Sequence, residues 1–119
     1  MRALICGGRT YRDREQAFSY LDQLHAKYKF TEIIAGAAVG ADTLAVEWAI
    51  ARNIPYREFP ADWDKHGDRA GRKRNIEMLT EKPDLIVAFP GGAGTRHMIT
   101  SGWQAGVPVV STWREEWKE

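Results

Sequence analysis

The segment Pro90-Gly91-Gly92-Ala93-Gly94-Thr95 sets three glycines and a hydroxyl between an apolar run and a helical pattern. Glycine lets a backbone turn tightly and approach a ligand closely. A helix starting near Thr95 aims its free N–H groups and the positive end of its dipole at this loop, and such an end binds phosphate or carboxylate. The Thr95 hydroxyl suits either a helix cap or a hydrogen bond to a phosphate oxygen, and the sequence leaves both open. The loop is not a Walker A motif, because the G-K-[ST] ending is absent, nor is it the G-x-G-x-x-G dinucleotide fingerprint.

Three other stretches carry small or polar residues: Gly7-Gly8-Arg9-Thr10, Gly36 to Gly40-Ala41-Asp42, and Pro60-Ala61-Asp62-Trp63. Asp42 and Asp62 can each accept ribose hydroxyls, and Asp42 equally suits a helix start. Arg69, Arg72, Lys73 and Arg74 form a basic run whose plain reading is a solvated helix face. One arginine on the rim side can still grip phosphate with two parallel hydrogen bonds; Arg74 is assigned that role, and Asn75 supplies an amide to support the ligand. His25, His66 and His97 show no metal-ligand spacing, so no metal site is expected. No cofactor is implied, and no nucleophile-elbow motif suggests a serine hydrolase. Cys6 lies in the apolar run Ala3-Leu4-Ile5-Cys6 and reads as a core residue rather than a nucleophile.

These residues need a scaffold that gathers them. Apolar runs at 2–6, 31–35, 55–59, 84–89 and 107–110 read as strands. Helical spacing covers 13–28, 41–52, 69–81 (Ala70, Ile76 and Leu79 inward) and 95–105, the last ended by Gly106. Pro55 cannot donate to a sheet ladder, which places the third strand at an edge. Residues 60–67 have no period and read as a loop, and the tail from Ser111 to Glu119 is left unassigned. The alternation implies an α/β, Rossmann-like three-layer sandwich, about five parallel strands with helices on both faces. Such sheets bind ligands beyond the carboxyl ends of their strands, where all four loops fall.

At 119 residues, a single domain spanning 1–119 is expected, large enough for a core without disulfides. With 17 Lys and Arg against 16 Asp and Glu, the net charge of +1 gives no bulk field toward nucleic acid or membrane. One cysteine excludes an internal disulfide and fits a reducing, cytoplasmic setting. No stretch approaches the ~20 apolar residues of a membrane span, and the first residues do not read as a signal peptide. Five tryptophans are many for this length; Trp48 reads as core. Trp63, Trp103, Trp113 and Trp117 fall in less regular or terminal segments, where they suit a pocket, a homo-oligomer contact or packing under the tail.

Taken together, these segments resemble the YspA-like branch of the SLOG superfamily. The resemblance rests on Gly7-Gly8-Arg9, on Gly36 and Gly40-Ala41-Asp42-Thr43-Leu44-Ala45, on Phe59-Pro60-Ala61-Asp62-Trp63, on Ala70-Gly71 with Arg74-Asn75 and Met78-Leu79, and on Pro83-Asp84 with Ala88 to Thr95. It implies a Rossmann-like fold that binds nucleotides or nucleotide-derived signals, ADP-ribose-like molecules among them. The same superfamily includes the lonely-guy phosphoribohydrolases and DprA/Smf proteins. Lonely-guy enzymes carry Arg-x-x-x-Met and Pro-Gly-Gly-x-Gly-Thr-x-x-Glu. Arg74 and Met78 match the first motif, and Pro90 to Thr95 match most of the second, but Met98 stands at the glutamate position. A methionine can neither stabilise an oxocarbenium-like charge nor activate water. A sensor or sequestering module is therefore expected. The alternatives are a phosphoribohydrolase using Asp42, Asp62 or Asp68, and a DprA-like DNA-associated protein, which the net charge disfavours. The expected ligand site comprises Gly7, Gly8, Arg9, Gly36, Gly40, Asp42, Asp62, Trp63, Arg74, Asn75, Pro90, Gly91, Gly92, Gly94 and Thr95.

Overall fold

The computed structural model describes residues 1–112, so Trp113 and Trp117 lie outside the described residues. Five strands, β1 (Arg2–Cys6), β2 (Glu32–Gly36), β3 (Tyr56–Phe59), β4 (Leu85–Ala88) and β5 (Val109–Ser111), form one sheet in the order β3-β2-β1-β4-β5. Every pairing is parallel. This is the Rossmann-like arrangement expected from the alternation of apolar runs, with β3 at an edge.

Helices α1 (Arg14–Tyr28) and α2 (Ala41–Ala51) cover one face; α4 (Ala70–Thr80) and α5 (Ala93–Gln104) cover the other. Strand residues alternate between the two interiors. Ala3, Ile5, Ile33, Ala35, Leu85 and Val87 pack under α1 and α2 with Leu21, Leu24 and the fully buried Trp48. Leu4, Cys6, Ile34, Ile86 and Ala88 pack on the opposite side with Met78, Met98 and Ile99. Asp13 caps α1 by accepting from the Gln16 N–H at 3.0 Å, and Gly106 ends the turn after α5 with φ +78°.

Four local expectations are corrected. Residues 60–67 contain a short helix, α3 (Trp63–His66), followed by a 3₁₀ turn over Gly67–Arg69. The Asp62 carboxylate starts α3 by accepting from the Lys65 N–H at 3.1 Å, a local cap too brief to leave a periodic signal. On α4 the buried residues are Ala70, Asn75 and Met78; Ile76 is exposed. Helix α5 starts at Ala93, two residues before the expected Thr95, with Gly92 as its N-cap. Trp103 lies on α5, partly buried against the second core, rather than in an irregular segment. Among the described residues, no helix is long and apolar enough to cross a membrane.

Candidate functional site

Growth of the sheet reverses between β1 and β4: the chain runs outward through β2 and β3, then returns to β1's other side. Loops leaving the carboxyl ends of neighbouring strands diverge there and open a crevice. A single residue, Gly8, holds the crevice floor. The Gly8 N–H donates to the Pro90 carbonyl at 2.7 Å, and the Gly8 carbonyl accepts from the Ala41 N–H at 3.1 Å. The loops after β1, β2 and β4 thus meet at Gly8. This closeness excludes side chains: a Cβ on Gly91 would strike Thr95 Oγ1 and lie 2.7 Å from the Gly8 nitrogen. Gly40 has φ +88°, and a Cβ there would strike the Gly8 carbonyl oxygen.

Above this floor lies a cavity of about 470 Å³, within the range of small-molecule sites. The first turn of α5 forms one side, through Gly92, Ala93, Gly94 and Thr95. No side chain caps this helix. Its first N–H groups have no intrahelical acceptor, and the helix dipole adds positive potential. Thr95 is 6% exposed and lines the same cavity, and its hydroxyl has no hydrogen-bond partner among the described residues. A tetrahedral oxyanion there can accept from backbone amides and this hydroxyl together.

Gly7, Gly8 and Arg9 form the opposite wall, with Asp42 and Arg74 at the base. Asp42 is 7% exposed and accepts from the Ala38 N–H at 3.3 Å. Burial pushes its carboxyl up from the ordinary 3.8 to about 6; the Arg74 guanidinium and the Ala38 N–H pull the other way, and Glu58 adds to the rise. Arg74 passes over Gly36, where a Cβ would strike the guanidinium and lie 2.7 Å from Asp42 Oδ2. The absence of a side chain at Gly36 lets Arg74 reach the cavity base. Arg74 also donates to the Phe59 carbonyl at 3.4 Å and to Asn75 Oδ1 at 3.3 Å.

The remaining wall is a stripe along the 3₁₀ turn and α4, comprising Asp68, Gly71, Arg72, Asn75 and Met78, with Trp63 above it. Asn75 borders the cavity, but its amide is committed to the protein: Nδ2 donates to the Gly94 carbonyl at 3.1 Å and meets His97 Nδ1 at 3.1 Å. That contact makes His97 Nδ1 the acceptor and the ring neutral, and burial, aided by Arg72, holds the imidazole below its ordinary range. Asn75 therefore ties α4 to the first turn of α5. Cys6 also touches the cavity, but burial keeps its thiol far above the usual range and protonated.

Of the residues expected at the site, Gly7, Gly8, Arg9, Asp42, Trp63, Arg74, Asn75, Gly92, Gly94 and Thr95 border this cavity. Gly36, Gly40, Pro90 and Gly91 lie beneath or beside it as packing and hydrogen-bonding positions. Asp62 is exposed and serves α3 as its cap. Sequence reasoning missed Ala38, Gly71, Arg72, Met78 and Ala93 as lining residues, and named Asp68 only as an alternative acid. Most were accessible to a helical argument, since 68, 71, 72, 75 and 78 share one face of a helix. Met98, at the glutamate position of the lonely-guy motif, is fully buried in the core under α4 and α5. A smaller cavity of about 120 Å³ adjoins the first, sharing Ala38 and Asp42 and bordered by Glu47 and Glu58. Among the described residues, no cluster of His, Cys, Asp and Glu is arranged to hold a metal ion.

Comparison with known proteins agrees with this fold. The Gene 61 protein of Mycobacterium phage D29 is 38% identical over 118 residues, covering 92% of this chain and 94% of the phage protein. Among solved structures, UDP-GlcNAc 2-epimerase from Neisseria meningitidis, in a crystal structure bound to UDP-GlcNAc, superposes with a TM-score of 0.54 at 16% identity. That match takes in 93% of this chain but 32% of the epimerase, so this chain corresponds to about a third of it and shares its fold. The profile of the YspA, cpYpsA-related SLOG family matches residues 1–66, which contain β1 to α3 and three of the four site loops. With that match and the phage relative, the chain belongs to the YspA, cpYpsA-related SLOG family.

Proposed function

We propose that this protein binds a nucleotide or nucleotide-derived signal, a nucleoside monophosphate or an ADP-ribose-like molecule, as a sensor or sequestering module. One observation carries the reading. The uncapped start of α5 and the unpartnered Thr95 hydroxyl converge on a cavity bordered by Arg9, Arg72 and Arg74, none of which has a carboxylate within salt-bridge distance among the described residues. Phosphate takes the Gly92–Thr95 turn, where amide donors and the dipole act together. Asp42 lies across the cavity as an acceptor for ribose hydroxyls, and Arg74 adds positive charge at the base.

A second reading, N-glycosidic hydrolysis of a nucleoside monophosphate, draws on Asp42. A buried carboxyl titrating near 6 matches what a general acid or base needs near neutral pH. Against it, Met98 supplies no acid and faces the core. Calorimetric titration with AMP, ADP-ribose and NAD, followed by chromatography of each mixture, separates the readings. Binding with the ligand recovered intact is the expected result. Release of free base, abolished by Asp42→Asn, replaces it with the hydrolase; absence of binding across the panel overturns both.

A further inference from the structure

Trp63 is the first residue of α3, and its backbone is fixed by the Asp62 cap. The residue is 47% exposed yet borders the cavity. Its edge rests over α4 at Gly71, where a Cβ would lie 3.5 Å from Cη2. Arg9, which borders the same cavity from the loop after β1, places its guanidinium 5.3 Å from the ring centroid. Arg9 has no carboxylate partner among the described residues, so the indole face is its main contact.

We infer that Trp63 is the stacking platform for the base of the ligand, and that Arg9 occupies this platform until a base displaces it. This rests on the nucleotide reading above and adds to it the group that recognises the base. The geometry makes guanidinium and base competitors for one face. A base between them needs a separation of about 7 Å, two stacking contacts of ~3.5 Å, against the 5.3 Å present. The competition favours the base, because stacking of a base on an indole is stronger than an exposed cation–π contact. Stacking tolerates any base, since each has a π-face. The site then reads the presence of a base through Trp63, while α5 reads phosphate.

The test uses two probes that differ by the base, AMP and ribose 5-phosphate, titrated against the wild-type chain and the Trp63→Ala, Trp63→Phe and Arg9→Ala variants. Trp63→Ala is expected to weaken AMP about tenfold or more while leaving ribose 5-phosphate unchanged. Trp63→Phe, which keeps a π-face, should recover most of the loss. Arg9→Ala, which clears the platform, should leave AMP at least as tight relative to ribose 5-phosphate. If Trp63→Ala weakens both probes equally, or neither, the platform is overturned while phosphate binding stands. If Arg9→Ala weakens AMP alone, the competition is overturned, because Arg9 then holds the base. If wild-type protein binds neither probe, the nucleoside monophosphate reading fails, and the platform proposed for its base fails with it. Folding of the variants is checked by thermal melting.

Discussion

The two ends of the sheet treat arginine in opposite ways. At the amino ends, Arg2 and Arg57 are closed into a network: Arg2 Nε meets Glu32 at 3.0 Å, Arg57 meets the other Glu32 oxygen at 3.1 Å, and Arg57 meets Glu81 at 2.6 Å. The Arg2 backbone N–H is taken up by Asp84 at 2.8 Å. At the carboxyl ends, Arg9, Arg72 and Arg74 border a cavity without an ion-pair partner among the described residues, beside a helix start that no side chain caps. The first end neutralises its charge internally and holds three strands and the turn after α4 together. The second leaves positive potential in place, which disfavours the empty fold slightly and favours an anion. Electrostatic stabilisation and ligand capacity are thus separated by the length of a strand.

Four substitutions test that separation. The largest effect is expected from Gly92→Asp. A Cβ at Gly92 meets nothing within 4 Å, and the backbone there has φ −106° and ψ −140°. Aspartate is a preferred N-cap, so its carboxylate should take the free amides of α5 itself. AMP affinity should fall at least a hundredfold, roughly 3 kcal/mol, with the melting temperature unchanged or raised. Unchanged affinity in a folded variant would sink the phosphate assignment.

Asp42→Asn comes next and acts on both properties. Burial raises this carboxyl, so the native state holds its proton more tightly than the unfolded chain does. Stability therefore falls as pH rises from 3.8 to about 6 and stays reduced above, by up to about 3 kcal/mol. The asparagine variant should be more stable at pH 7 by about 1–3 kcal/mol, with a flatter pH profile in that window, measured by urea unfolding. Wild-type AMP affinity should decline as pH falls through about 6, because the neutral carboxyl is a weaker acceptor for ribose hydroxyls. A wild-type stability profile that does not fall between these pH values would remove the basis for both expectations.

Arg72→Gln should weaken AMP several-fold and flatten the salt dependence of binding without moving the melting temperature. It should also raise the His97 titration seen by NMR, since Arg72 depresses it. Glu81→Gln, at the other end, is the smallest and the mirror image: about 0.5–1 kcal/mol of stability lost, with AMP affinity untouched. A change of affinity there would mean that the two ends are coupled.

The strands and their alternation with helices were legible because most strands are short apolar runs bounded by glycine or proline, as in Leu85–Ala88 between Pro83 and Pro90. The rim was legible for the same reason, since glycines at 7, 8, 36, 40 and 91 mark strand ends. What those glycines do was not. Gly36 clears a path for Arg74, and Gly91 makes room for Thr95; both are tertiary facts without a local signature. Helix α3 escaped notice because a four-residue helix held by one cap has no period to read. Asn75 looked like a ligand group because a sequence shows the amide but not the Gly94 carbonyl that claims it.

Gly8 has a consequence for how the site responds to an occupant. Its N–H and carbonyl tie the β1, β2 and β4 loops through the Pro90 and Ala41 bonds, so displacing one loop disturbs hydrogen bonds to the other two. On the α3 side, an exposed indole and an exposed guanidinium rest on each other. Under the proposed function, a ligand would meet a hydrogen-bonded floor on one side and two exposed side chains on the other, and a preordered floor lowers the entropy lost on binding. Under that reading, changes along α3 and the facing stripe of α4 would alter what the site recognises without touching the Gly8 hydrogen bonds.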